Sequence, residues 1–304
     1  TGIGSGPVAV RNVYNDYGYL QQIRNYLPSD DSLTISQLQG LLYWSASDYD
    51  VAGRIDREIY GNGFINNRGY SAATGRLMRA TIDRGSIFTG PFSVQDLNYT
   101  YDQVGNVKSR ADYAVGFARN EYFSNSDASD GYDGLDRLKV HRINGGASVT
   151  VTYNQRGDIT NKSDVGGYAY AYAAHVHAVS SAGGQSYTYD TNGNMETGGN
   201  RTLTWTSFNQ VATIADLSTS KSTTFSFGAG HERIKQVRKT GNTVTDTTIY
   251  VGSLFEKVTT GTLVENKHYI VSPSGRIAVL TTRADNGSPL ANDTRYFHTD
   301  GLGS

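Results

Sequence analysis

The chain has 304 residues, of which 35 are Gly, 22 Tyr and 5 Pro, and only 37% are hydrophobic, less than a compact core of this size usually holds. A net charge of −1 excludes a general electrostatic hold on nucleic acid or an anionic membrane. Zero Cys excludes disulfides and thiolate metal sites, and no 18-residue apolar run is present to cross a bilayer.

Residues 1–27 read as two strands around a turn at Tyr14. Residues 28–32 (Pro-Ser-Asp-Asp-Ser) read as a loop, and the spacing of Leu33 to Leu42 predicts a short helix. From Gly40 the pattern turns to strand, with Leu41, Tyr43 and Ser45 on one face and Leu42, Trp44 and Ala46 on the other. Ile55 to Tyr60 and Phe64 to Tyr70 flank the tight turn Gly61-Asn62-Gly63. Residues 78–100 hold two strands around a loop at Gly90-Pro91, and Asn120 to Asp130 is a polar loop. Residues 131–165 carry two more hairpins. Tyr168, Tyr170 and Tyr172 alternate, which predicts a strand with three Tyr on one face. Residues 180–186 form a Ser/Gly turn. Beyond 221, Thr- and Val-rich strands are separated at Thr240-Gly241-Asn242, Thr260-Gly261 and Ser274-Gly275. Turn signals recur about every 8–12 residues, which predicts an all-β chain. No linker divides it, so residues 1–304 read as one domain.

One phrase recurs throughout. Tyr189-Asp190-Thr191-Asn192-Gly193-Asn194-Met195 has the pattern Tyr-Asp-x-x-Gly-x-apolar. It returns from Tyr49-Asp50 through Gly53 to Ile55 and from Tyr101-Asp102 through Gly105 to Val107. With Asn for Asp it runs from Tyr153-Asn154 through Gly157 to Ile159 and from Tyr14-Asn15 through Gly18 to Leu20. Tyr132-Asp133 leads to Leu138 with Asp136 at the Gly place. Tyr70 to Leu77 carries one extra residue. Trp205 to Val211, with Asn209 at the Gly place, and Phe227 to Ile234 look like worn copies. The first residues of the clear copies fall at 14, 49, 70, 101, 132, 153 and 189, at intervals of 35, 21, 31, 31, 21 and 36. A solenoid would keep one period; uneven spacing predicts hairpins of different length joined edge to edge.

The phrase has a mechanical reading. Asp or Asn opening a type I turn accepts amide hydrogen bonds from two residues on, and Gly supplies the left-handed residue that closes the loop as a bulge. The bulge sets the leading Tyr opposite the apolar residue after Gly, a cross-strand pair contributing about 0.2–1 kcal/mol. Gly53, Gly105, Gly157 and Gly193 are therefore expected at positive φ, and Asp136 and Asn209 tolerate the same geometry.

Other candidates have plainer readings. His175 and His177 have a spacing that puts two imidazoles on one strand face, compatible with a metal, but no third ligand is apparent. Asp190, Asn192, Asn194 and Glu196 alternate as in a Ca²⁺ loop, yet Gly193 is misplaced for one and the repeat accounts for them better. The Tyr series could stack on sugars, but sheet packing explains it more simply. No hydrolase, metalloprotease, P-loop or dinucleotide motif occurs, so the reading includes no enzyme, no cofactor and no metal.

The Tyr-Asp phrases resemble the YD repeats of Rhs proteins, of toxin-complex C components and of teneurins. Tyr60-Gly61-Asn62-Gly63, Tyr250 to Glu256 and Lys267-His268-Tyr269-Ile270 are similar to connecting stretches of that family. Arg295 to Ser304, with His298-Thr299-Asp300, resembles the start of the Rhs core motif, with Gly301 where a His is usual. The resemblance implies an all-β fold in which antiparallel hairpins form a spiralling sheet, part of a hollow shell. It implies a structural wall enclosing a toxin domain encoded downstream in the same chain, with secretion-system or other delivery components as further partners. It also implies a bacterial, secreted or cell-surface setting. The aspartate autoprotease segment of the family is expected beyond Ser304, so residues 295–304 read as a truncated core motif in which His298 and Asp300 are structural. The alternative is an extracellular adhesion or carbohydrate-binding module.

Overall fold

Each repeat phrase closes a hairpin of two antiparallel strands, and successive hairpins pair edge to edge. A computed structural model describes residues 8–34, 37–38, 40–84, 94–114, 120–124 and 131–300. Among them, strand order within each sheet is sequence order: fifteen strands from Val10–Tyr14 to Gln185–Ser186, and eleven from Thr188–Tyr189 to Ser288–Tyr296. With nearest-neighbour antiparallel pairing, alternate turns fall at the same strand ends. The phrases occupy one set of ends, and the uneven intervals are absorbed by connections at the other.

The chain divides into two compact units. One, the N-terminal unit, comprises Ile3–Ser148, Tyr269–Leu280 and Thr294–Ser304; the other, the central unit, includes Val149–His268 and Thr281–Asp293.

The N-terminal unit has a packed core of Ile23, Tyr43, Trp44, Ala46, Tyr60, Ile270, Ile277, Ala278 and Leu280. Tyr43 and Trp44 lie on opposite faces of strand Leu42–Tyr49, yet both are fully buried, so that strand is covered on both sides. Glu58 is buried among them and is fully satisfied. Its carboxylate accepts Trp44 Nε1 at 3.1 Å, Asn66 Nδ2 at 2.9 Å, Arg68 Nη1 at 3.0 Å and Tyr60 Oη at 3.4 Å, together with Ser274 Oγ. A buried carboxylate needs such a set of donors to offset its lost hydration. Gly61 is a close-approach position: a Cβ there would meet Leu42 O at 2.0 Å and Tyr296 Oη at 2.4 Å.

The central unit is built differently. Strands such as Val211–Asp216 and Lys221–Phe227 contain no buried residue. Cross-strand pairs take the place of a core: Thr188 with Thr197 at 2.7 Å, Arg238 with Asp246 at 2.8 Å, and the Arg233 guanidinium 4.1 Å from the Phe225 ring centroid.

Several expectations are corrected. The described residues of 33–42 form no α-helix, and 35, 36 and 39 lie outside the described set. Within that stretch Gln37 has 3-10 geometry, its amide bonded to Thr34 O at 2.9 Å, and a further 3-10 element lies at Pro28–Asp30, which Pro28 initiates. Tyr168 belongs to strand Gly166–Ala169, but Tyr170 and Tyr172 lie in the loop beyond it, as do His175 and His177, so neither set lines a strand face. Glu121–Tyr122 is a short strand inside the expected 120–130 loop. The Gly90-Pro91 loop and residues 301–304 lie outside the described residues.

Candidate functional site

The turns have the geometry that their residue types dictate. Asp50 Oδ1 accepts the amides of Ala52 and Arg54, both at 2.9 Å; Asp190 accepts those of Asn192 and Asn194, and Asp133 those of Leu135 and Arg137. Gly53, Gly105, Gly157 and Gly193 have φ of 77, 114, 90 and 84°, and Asp136 and Asn209 have 57 and 58°. Tyr49 pairs with Ile55, Tyr101 with Val107, Tyr153 with Ile159 and Tyr189 with Met195, each just after a register shift; Tyr132 bridges Leu138. The Phe227 copy has no extra residue: Phe227 pairs with Arg233, and His231 takes the Gly place at φ 63°. The Arg137 side chain bonds Asp133 and holds its carboxyl at about 2, below the ordinary value of 3.8.

The structure adds something the sequence does not announce. Several repeats are bonded to the one before them. Tyr101 Oη donates to the carbonyl of Leu77 at 2.7 Å, and Tyr132 Oη to that of Val107 at 2.9 Å; the acceptors are the apolar residues that end the preceding phrases. Tyr49 reaches Leu20 O at 3.3 Å, and Trp205 Nε1 reaches Met195 O at 2.9 Å. This explains why the leading residue is Tyr or Trp more often than Phe: the ring must carry a donor. The residue after the Gly place makes a second link. Arg54 pairs with its own Asp50 and donates to Gly75 O of the next turn at 2.6 Å. Asn106 bonds Asp102 and reaches Asp136 at 2.9 Å, and Asn194 bonds Asp190 and reaches Asn209 at 2.9 Å. In each unit the turns thus form a ladder whose rungs run between consecutive hairpins.

The other sequence-derived site is the segment after strand Ser288–Tyr296, in the N-terminal unit. The His298 ring packs edge-on against Tyr60 at 5.1 Å and against Phe64 at 5.6 Å. Its Nδ1 is buried without a hydrogen-bond partner, and burial lowers its pKa. Asp300 accepts Arg110 Nη1 at 3.0 Å, and the same guanidinium pairs with Glu121 at 3.0 Å. Gln95 Nε2 donates to Thr299 O at 3.3 Å. His298 and Asp300 are therefore held by different partners and do not converge on each other as an acid–base pair.

No family model and no curated protein matches the sequence. Solved structures do match, over 97% of this chain at 17% identity. They include the Photorhabdus luminescens Tc holotoxin pore with a TccC3 point mutation, at TM-score 0.71, and the crystal structures of TcdB2–TccC3–TEV and TcdB2–TccC3–Cdc42, at 0.68 and 0.69. This is the YD-repeat fold. The chain spans 16% of the length of the chains it matches.

This chain also holds a copy of the phrase that its sequence hides. Residues 170–179 lie between the turns of Tyr153 and Tyr189. Tyr170 Oη donates to Ile159 O at 2.9 Å, as a leading Tyr does, and Val179 O receives Tyr189 Oη at 2.9 Å, as a closing apolar residue does. The insert between them carries the two His. His177 Nδ1 bonds Asp158 of the preceding turn, and His175 lies against Gly193 of the next. Both fill rung places that Arg or Asn fill elsewhere. Among the described residues, no group of three or more His, Cys, Asp or Glu could hold a metal. Asp190, Asn192 and Asn194 are likewise committed to the turns, and Glu196 lies in the strand beyond.

Proposed function

We propose that this chain is a structural wall segment of a YD-repeat container that encloses an effector domain of its own polypeptide. One observation carries the reading: nearly the whole chain shares its fold with chains of Tc toxin assemblies, while spanning a small part of their length. The ladder supports it, because rungs between neighbouring turns stiffen a sheet without requiring a core on both faces. On this reading His298 and Asp300 fasten the terminal segment of the wall, and the protein acts outside the bacterial cell or at its surface, with delivery components as partners. A carbohydrate-binding module would need aromatic faces and hydroxyls free for ligand, whereas Tyr101, Tyr132, Tyr170 and Tyr189 direct their hydroxyls to backbone carbonyls.

The test compares residues 1–304 alone with the complete polypeptide that carries them, by limited proteolysis and light scattering. The complete polypeptide should be soluble and resistant, and the isolated segment should associate through unpaired strand edges. A compact, resistant monomer from 1–304 alone would rule out the container and favour the adhesion module.

A further inference from the structure

The geometry points to His298 as an acid-sensitive latch that releases residues 297–300 from the N-terminal unit. Besides the stacking of Phe297 on Tyr269 at 6.3 Å, four contacts bear on this segment. Phe297 N donates to Ile277 O at 2.9 Å, Gln95 holds Thr299 O, Arg110 holds Asp300, and the His298 ring sits between Tyr60 and Phe64. The first three keep their bonding down to carboxylate titration. The fourth depends on a neutral imidazole.

Among the described residues, the carboxylates around His298 are already engaged by other donors. The Tyr60 ring stands nearly perpendicular to the imidazole, and its hydroxyl is turned to Glu58. Glu58 already receives Trp44, Asn66, Arg68 and Ser274, so its charge is spoken for. Phe64 carries Arg84 over its ring at 5.1 Å, which adds positive charge on that side. Asp300 is held by Arg110. A protonated ring would place an N–H cation at a buried position where Nδ1 has no acceptor.

The sign follows. Burial alone lowers the pKa of His298 in the docked state. A group whose docked pKa is depressed favours docking while neutral and opposes it as pH falls through the ordinary imidazole value of about 6.5. Docking therefore weakens from about pH 6.5 downward, well above the range in which Asp300 would protonate. The inference concerns docking only and stands whether or not the wall encloses a cargo.

Hydrogen exchange on the complete polypeptide tests it, with rates corrected for the intrinsic pH dependence of exchange. Protection of the 297–300 amides should fall between about pH 7.5 and pH 5, by roughly tenfold for each unit of depression in the ring's pKa. Amides of the Leu42–Tyr49 strand should not change. In His298→Phe, an uncharged ring of similar shape, the segment should stay protected at both pH values. In Asp300→Asn, protection should fall equally at both, with the acid response retained. Equal wild-type protection at the two pH values overturns the inference, even if no variant folds. So does an acid response that survives in His298→Phe.

Discussion

The two units use the same hairpin and are held together in different ways. In the N-terminal unit, strands such as Leu42–Tyr49 are covered on both faces, and a buried carboxylate ties five side chains together. In the central unit, Val151 and Ala182 are the only buried hydrophobics among the described residues; all the others belong to the N-terminal unit. The difference teaches that the turn and its rungs suffice to organise a sheet, while a core is a local addition. It also accounts for the low hydrophobic content: a chain with one cored unit does not need apolar residues throughout.

The comparison breaks most visibly at Trp44. Trp44→Ala removes a fully buried ring and leaves Glu58 short of a donor, and should lower stability by about 3–5 kcal/mol. Ile214→Ala, in half-buried strand Val211–Asp216, should cost about 1 kcal/mol. Denaturant unfolding of the two variants measures the contrast; equal losses would mean that the central unit has a core after all. A smaller effect is expected at the turns. Gly193→Val forces a β-branched residue to φ 84° and against His175, and should cost about 1–2 kcal/mol. The smallest effect tests what the units share. Tyr101→Phe in one unit and Trp205→Phe in the other each delete a single rung, and each should cost about 1 kcal/mol. A null result in the N-terminal unit alone would show that its core makes the rungs redundant.

The turns were legible because their chemistry is local: an Asp side chain, two amides a few residues on, and a left-handed Gly place lie within one seven-residue window. The rungs were not, because the acceptor of each Tyr hydroxyl is a backbone carbonyl on another hairpin, and carbonyls leave no mark in a sequence. The hidden copy at 170–179 was missed for a related reason. Its insert removes the Asp-x-x-Gly core of the phrase, and Tyr168, Tyr170 and Tyr172 mimic strand alternation. Glu58 was passed over because an acidic residue in a half-polar strand looks solvated until Trp44, Asn66 and Arg68 are seen to converge on it. The helix expected at 33–42 rested on apolar spacing alone, which over so short a stretch decides little.

Sequential strand order has a mechanical consequence. When every strand pairs only with its neighbours in the chain, tension along the polypeptide detaches one hairpin at a time, and each step breaks one short ladder of hydrogen bonds together with its rung. Such a structure should yield in a train of small, similar force steps. The exception is where Ile270, Ile277, Ala278, Leu280 and Tyr296 pack with the first strands in one core. There, residues more than 200 positions apart must part together, so the first event under load should be the strongest, with the rest of the chain paying out in sequence behind it.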